Sequence, residues 1–284
     1  GKDILGTGVV YTQQLLLSVV ITTSAWLLIA STLRVTVSTT QTIVGAIIGV
    51  GIVQILTAGL TIDTALNLLK ILEIASGWVI SPTLAFICSY FMAKFLRKNR
   101  KYIIQFVLKR RGEEGSGGLR ILEEIEKYYS IIFLGVIFWA EFARGANNNG
   151  NPLGIVFGLV QAGTIRESDL GIWKIAIAIM YFIGLNTLGK PLVEKTGATA
   201  SGFRPSDGLA TVISASLVTF IGITIALPTT ATQIMMFSIF GAGFSIGEKP
   251  NKKDVFRMFR VWLLTLPMAA VFSSLSFIVI SAIF

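Results

Sequence analysis

The sequence predicts an all-α integral membrane protein built from inverted repeats with broken or re-entrant helices. Three observations carry that expectation. Charge is scarce and missing from long stretches, two Ser/Thr-rich interruptions recur at a constant spacing, and basic residues mark one side of the apolar runs. Of 284 residues, 53% are hydrophobic and 14% charged, against about 25% charged in soluble domains. No Asp, Glu, Lys or Arg occurs between Arg34 and Asp63, between Glu73 and Lys94, between Asp207 and Glu248, or beyond Arg260. Several of these runs exceed the ~20 residues that cross a bilayer, so the chain is polytopic.

Composition also removes function classes. Cys88 is the single cysteine and there is no histidine, which excludes an internal disulfide, Cys-rich metal sites, His-based zinc sites and Ser-His-Asp chemistry. The remaining carboxylates are not clustered, so an enzyme is not expected and no cofactor is implied. The net charge is +9, and nine of the 24 Lys/Arg lie between Arg97 and Lys127. They follow an apolar run directly and are interleaved with Glu113, Glu114, Glu123, Glu124 and Glu126. That pattern suits a cytoplasmic loop under the positive-inside rule rather than a nucleic-acid surface.

Residues 9–33 read as a full span. A polar, Thr-rich stretch follows, and then residues 42–54, a Gly-rich apolar piece too short to cross comfortably. Residues 74–95 form the next span, entered through Trp78 and Pro82. In the linker, 97–127, residues 112–118 read as a flexible loop and 119–128 as a surface helix. Residues 129–143 are apolar and end in Arg144-Gly145-Ala146-Asn147-Asn148-Asn149-Gly150-Asn151-Pro152, whose Asn-Gly and Asn-Pro steps predict a helix break. Residues 153–162, 172–188, 209–227, 234–246 and 261–284 complete the apolar segments.

The charge-free run before Glu248 is too long for one span. It breaks at Leu227-Pro228-Thr229-Thr230-Ala231-Thr232-Gln233, where proline and three threonines interrupt a helix. An offset of 192 residues places Gln41 on Gln233, Thr40 on Thr232, Ser38 on Thr230, Gly49 on Gly241 and Gly51 on Gly243. With shifts of a few residues, Gly1-Lys2 answers Gly189-Lys190, and Trp78 with Pro82 answers Trp262 with Pro267. This internal repeat divides the chain into a first membrane repeat, 1–96, the basic linker, 97–127, and a second repeat, 128–284. The early part of the second repeat has no counterpart, which predicts a further N-terminal segment, rich in Gly and Asn, in the native protein. The connection before the last span of repeat two carries Lys249, Lys252, Lys253, Arg257 and Arg260. Its counterpart in repeat one carries only Lys70. The two therefore face opposite sides, and the repeats are inverted.

Irregular Ser/Thr stretches at membrane depth must line a cavity or be buried in protein. Ser38, Thr39 and Thr40 precede one short helix, and Thr229, Thr230 and Thr232 precede the other. Hydroxyls and free amides at positive helix ends suit an oxyanion, and two such ends could grip a tetrahedral one. Plain capping and small-residue packing is the alternative for either stretch taken alone. The Asn-rich segment offers carbonyl oxygens to a cation and amide donors to an anion, or else is an aqueous turn. Glu141, one turn earlier, is either a coupling-ion ligand or the i,i+3 partner of Arg144.

These segments resemble the inorganic phosphate transporter (PiT) family, which includes sulfate permeases. Residues 37–46, Val-Ser-Thr-Thr-Gln-Thr-Ile-Val-Gly-Ala, are similar to its VSTTH-T-x-VG-A element. Residues 145–151 resemble its GANDVAN signature, Trp78 to Pro82 and Trp262 to Pro267 its W-x-x-(T/S)-x-P elements, and Leu227-Pro228-Thr229-Thr230 its LPVSTTH. The resemblance implies a dimeric helical carrier moving phosphate with sodium or protons. It implies that Ser38, Thr39, Thr40 and Gln41 contact the anion with Thr229, Thr230, Thr232 and Gln233. It implies too that Asn147, Asn148 and Asn151 hold the anion or, for Asn147 and Asn151, the coupling ion; Glu141 could supply the carboxylate that the Asn148 position lacks. The family's Asp is Asn148 here, its His residues are Arg144, Gln41 and Gln233, and the second element reads TTATQ. These departures keep sulfate open beside phosphate. An anion channel of the same fold also stays open.

Overall fold

In a computed structural model of the chain, residues 4–33, 35–111, 117–198, 202–225 and 229–284 are described. Gly1-Lys2, Arg34, the centre of the expected flexible loop at 112–116, and Leu227-Pro228 lie outside them. The described residues form helices α1 (Gln13–Thr32), α2 (Thr39–Ala58), α3 (Ile62–Ala65), α4 (Leu68–Arg111), α5 (Gly117–Gln161), α6 (Leu170–Gly184), α7 (Lys190–Ala198), α8 (Pro205–Thr224), α9 (Ala231–Ser245) and α10 (Lys252–Ile283). Among them, seven helices are long and apolar enough to cross a membrane, and α9 is a shorter apolar helix. The protein is an all-α, multi-pass membrane protein.

Helix ends follow local chemistry. Thr12 caps α1 by accepting the Leu15 N–H at 3.2 Å, and Ser38 caps α2 by accepting the Gln41 N–H at 3.1 Å. Gly59, at φ 70°, stops α2 in the left-handed conformation that a Cβ disfavours. The piece expected to be too short, residues 42–54, is corrected: α2 has 20 residues. Its first turn is recruited from the Thr-rich stretch by the Ser38 cap, and its last from Ile55 to Ala58.

One further expectation fails. Arg144 to Pro152 is not a helix break, because α5 runs through it for 45 residues with Pro152 inside. Turn preferences of Asn and Gly are weak beside the apolar helical sequence on either side. The spans 129–143 and 153–162 are therefore parts of one helix. The basic stretch 97–127 is largely helical. Its first part continues α4 to Arg111, and residues 117–127 open α5.

The chain divides into two compact units: Gly1–Gly77 with Asn148–Thr196 and Lys252–Phe284, and Trp78–Asn147 with Gly197–Asn251. In the first, α10 packs along α2, which also meets α1. A Cβ on Gly45 would overlap the Leu266 carbonyl oxygen and one on Gly49 the Ala270 carbonyl oxygen. The Gly45-x-x-x-Gly49 spacing thus lets two backbones touch. Ser274 donates to the Gly49 carbonyl at 2.9 Å, and Trp262 Nε1 donates to the Thr36 carbonyl at 3.2 Å. Residues 4–8 lie beside 64–67, joined by Gly6 N–H to Ala65 O and Asn67 N–H to Ile4 O, both 2.9 Å.

In the second unit, Ala85, Ala215, Val218 and Ile234 form one apolar layer and Ala93, Ala210 and Ala242 another. A Cβ on Gly241 of α9 would overlap the Phe86 carbonyl of α4. One end of this unit holds a buried polar network that the sequence gave no sign of. Arg100 pairs with Glu126 and donates to Ser206 Oγ at 3.0 Å. Glu126 accepts the Ser206 N–H at 3.0 Å and its hydroxyl at 2.9 Å. Arg97 donates to the Ser245 carbonyl at 2.8 Å and faces Asp207 at 3.5 Å.

Candidate functional site

The α2 element begins with extended backbone over 35–38. Ser38 is fully buried, and its carbonyl receives both the N–H of Thr42, at 3.0 Å, and its hydroxyl, at 2.9 Å. Gln41 is buried, while Thr39 and Thr40 are half-buried. The first-turn amides of a helix have no backbone partner within it; the Ser38 hydroxyl takes that of Gln41, and the turn gathers hydroxyls at the positive helix end. The Trp262 bond to Thr36 fixes the approach to it.

The α9 element is its counterpart. Thr230, in extended conformation, is the N-cap, and its carbonyl accepts the Ile234 N–H at 3.0 Å. Thr229, Thr230 and Gln233 are buried and Thr232 is half-buried. The Thr229 hydroxyl is buried with no hydrogen-bond partner among the described residues. Its methyl group packs so closely on Gly222 of α8 that a Cβ there would overlap it. Ser38 and Thr230 are the residues that the 192-residue offset pairs, and both are N-caps. A small buried hydroxyl residue therefore opens the helix at each equivalent position.

The Asn-rich residues stand on continuous α5 and not at a break. Asn148 and Asn151 are half-buried and three residues apart, hence on one helical face. Tyr181 donates its hydroxyl to the Asn148 carbonyl at 3.2 Å. Asn147 is helical; nothing further is described of its side chain. Glu141 is exposed and pairs with Arg144 at 3.0 Å, so its charge is neutralised one turn away. No cluster of three or more His, Cys, Asp or Glu exists among the described residues. Any cation held here would meet hydroxyl, amide and carbonyl oxygens. Ser38 to Gln41, Asn148 and Asn151 belong to the first unit; Glu141, Asn147 and Thr229 to Gln233 belong to the second. Sequence reasoning missed Arg100, Glu126 and Ser206, because linker charges read as solvated and pairing across 80 residues leaves no local pattern.

The chain is similar to known permeases. A "Putative phosphate permease" of Haemophilus influenzae is 25% identical over 99% of this chain and 79% of its own length. A sulfate permease of Bacillus subtilis is 26% identical over 83% of this chain and 58% of its own. A solved structure titled "The sodium-dependent phosphate transporter" shares the fold, with TM-score 0.71 and 22% identity over 95% of this chain and 80% of that one. The model of the "Phosphate transporter family" matches residues 2–273. Two capped helix starts at repeat-equivalent positions, seven candidate spans and that match together place the chain, a transporter and not an enzyme, in the phosphate transporter family.

Proposed function

We propose that this protein is a secondary transporter that carries inorganic phosphate by alternating access, coupled to sodium or protons. The observation that carries the reading is the pair of equivalent N-caps, Ser38 and Thr230, each buried and each opening a helix at its positive end. In this reading Ser38, Thr39, Thr40 and Gln41, with Thr229, Thr230, Thr232 and Gln233, bind the anion. Asn147, Asn148 and Asn151 serve the anion or the coupling ion. Residues 1–96 and 128–284 are inverted repeats, and the basic stretch 97–127 faces the cytoplasm of a cell-membrane homodimer.

Contacts that correspond under the repeat support it. Gly49 meets Ala270 of α10, and its mate Gly241 meets Phe86 of α4. Trp78 and Trp262 stand eight residues before Phe86 and Ala270 respectively. The last helix of each repeat thus packs on the capped helix of the other.

Ser38→Ala is expected to abolish uptake of radiolabelled phosphate into proteoliposomes while the protein still elutes as a folded species. Wild-type uptake by this variant would overturn the assignment. Glu141→Gln is expected to alter the sodium or pH dependence of uptake. An unaltered dependence leaves Glu141 as the partner of Arg144 alone. Sulfate is the second reading, favoured by the sulfate permease relative and by Asn148 in place of a carboxylate. Currents that follow the electrochemical gradient without saturable accumulation would instead identify a channel.

A further inference from the structure

We infer that Gln41 and Gln233 read the protonation of the transported anion. Each offers its side-chain carbonyl oxygen to one P–OH of dihydrogenphosphate, which carries two, and so turns away oxyanions that carry no proton. The inference rests on the anion-binding role proposed for the two capped helices.

Ser38-Thr39-Thr40-Gln41 and Thr230-Ala231-Thr232-Gln233 both have the S/T-x-x-Q form of a capping box. In a closed box the glutamine reaches back to the N–H of the N-cap residue. Neither box closes here. Ser38 accepts the Gln41 N–H, but Gln41 Oε1 has no hydrogen-bond partner among the described residues. Thr230 makes no side-chain cap bond, and Gln233 Oε1 is likewise without a partner. Both residues are deeply buried, at 6% and 4% exposure. Leaving a buried acceptor unsatisfied is costly, and it occurs at two positions that the repeat equates.

Helical side chains lean toward the N-terminus of their helix. A residue in the first turn therefore carries its amide over the end where the free N–H groups point. Donors and one acceptor then share each helix end. The donors suit unprotonated oxygens; the carbonyl, which accepts and cannot donate, suits only an oxygen bearing hydrogen. The orphaned Thr229 hydroxyl makes no such distinction, because it rotates to donate or accept. Dihydrogenphosphate has two oxygens of each kind. Sulfate at neutral pH has none with hydrogen and would set a lone pair against Oε1.

The test is radiolabelled phosphate uptake by the full chain in proteoliposomes, with unlabelled sulfate and monofluorophosphate as competitors, both dianions without an O–H. Neither is expected to compete in the wild type. In Gln41→Met and Gln233→Met the KM for phosphate should rise, and selectivity should fall roughly five- to 150-fold. Gln41→Glu keeps the acceptor, so it should still reject both competitors while binding phosphate more weakly. Wild-type uptake inhibited by sulfate as strongly as by phosphate overturns the inference alone. So do Met variants with wild-type KM and selectivity. Uptake of labelled sulfate without phosphate uptake overturns the proposed substrate as well.

Discussion

Glu126→Ala is expected to lower stability by about 3–5 kcal/mol, the usual cost of removing one partner from a buried ion pair. Arg100 is 9% exposed and would keep its charge without a carboxylate beside it. Ser206 would lose the acceptor for both its N–H and its hydroxyl at the start of α8. Glu126→Gln keeps an oxygen for Ser206 but removes the charge, so it should fall between wild type and alanine. Glu124→Ala is the control: that residue is exposed and pairs loosely with Arg120 at 3.7 Å, a contact worth less than about 1 kcal/mol. Thermal unfolding in detergent separates the three. Glu126→Ala melting together with Glu124→Ala would show that the network does not hold α4, α5 and α8.

Gly49→Ala and Gly241→Ala form the second large effect. An added Cβ at either position would overlap a backbone carbonyl on the facing helix, Ala270 or Phe86. A flexible side chain could move aside; a helix backbone cannot without displacing its own neighbours. Overpacking of this kind costs typically about 1–3 kcal/mol, and the two variants should lose similar amounts because the contacts correspond. Gly135 and Gly154, helical glycines whose Cβ positions meet nothing, provide the contrast. Alanine there should be neutral or stabilising by up to about 1 kcal/mol. Fluorescence-detected size-exclusion after heating reads all four. A Gly49→Ala variant as heat-resistant as wild type would contradict the tight α2–α10 approach.

Much of this architecture was written in the chain. The two interruptions, the offset between them and the residues at each helix start were all visible, because proline, threonine and the loss of charge act locally. The two N-caps fall on positions that the offset equates. What stayed hidden depends on distant partners. Nothing in Arg144 to Pro152 reveals that flanking helix formers outweigh its turn residues. Arg97, Arg100 and Glu126 looked like solvated linker charges; only the fold brings Ser206, Asp207 and Ser245 to them. The candidate site was legible as hydroxyl-rich helix starts. The unclosed capping boxes were not, since their sequence predicts that the glutamines are satisfied.

The packing of α10 on α2 sets an order on the birth of the molecule. The second unit is complete in sequence once Asn251 has been made, but the first must wait for the 32 residues of α10. Ribosomes add about 5–20 residues per second, so α2 spends on the order of ten seconds or more with its Gly45 and Gly49 groove unfilled. Chains truncated before Lys252 should retain the second unit and leave the first open to quality control. The unit that holds α1 and α2 is therefore the last to close.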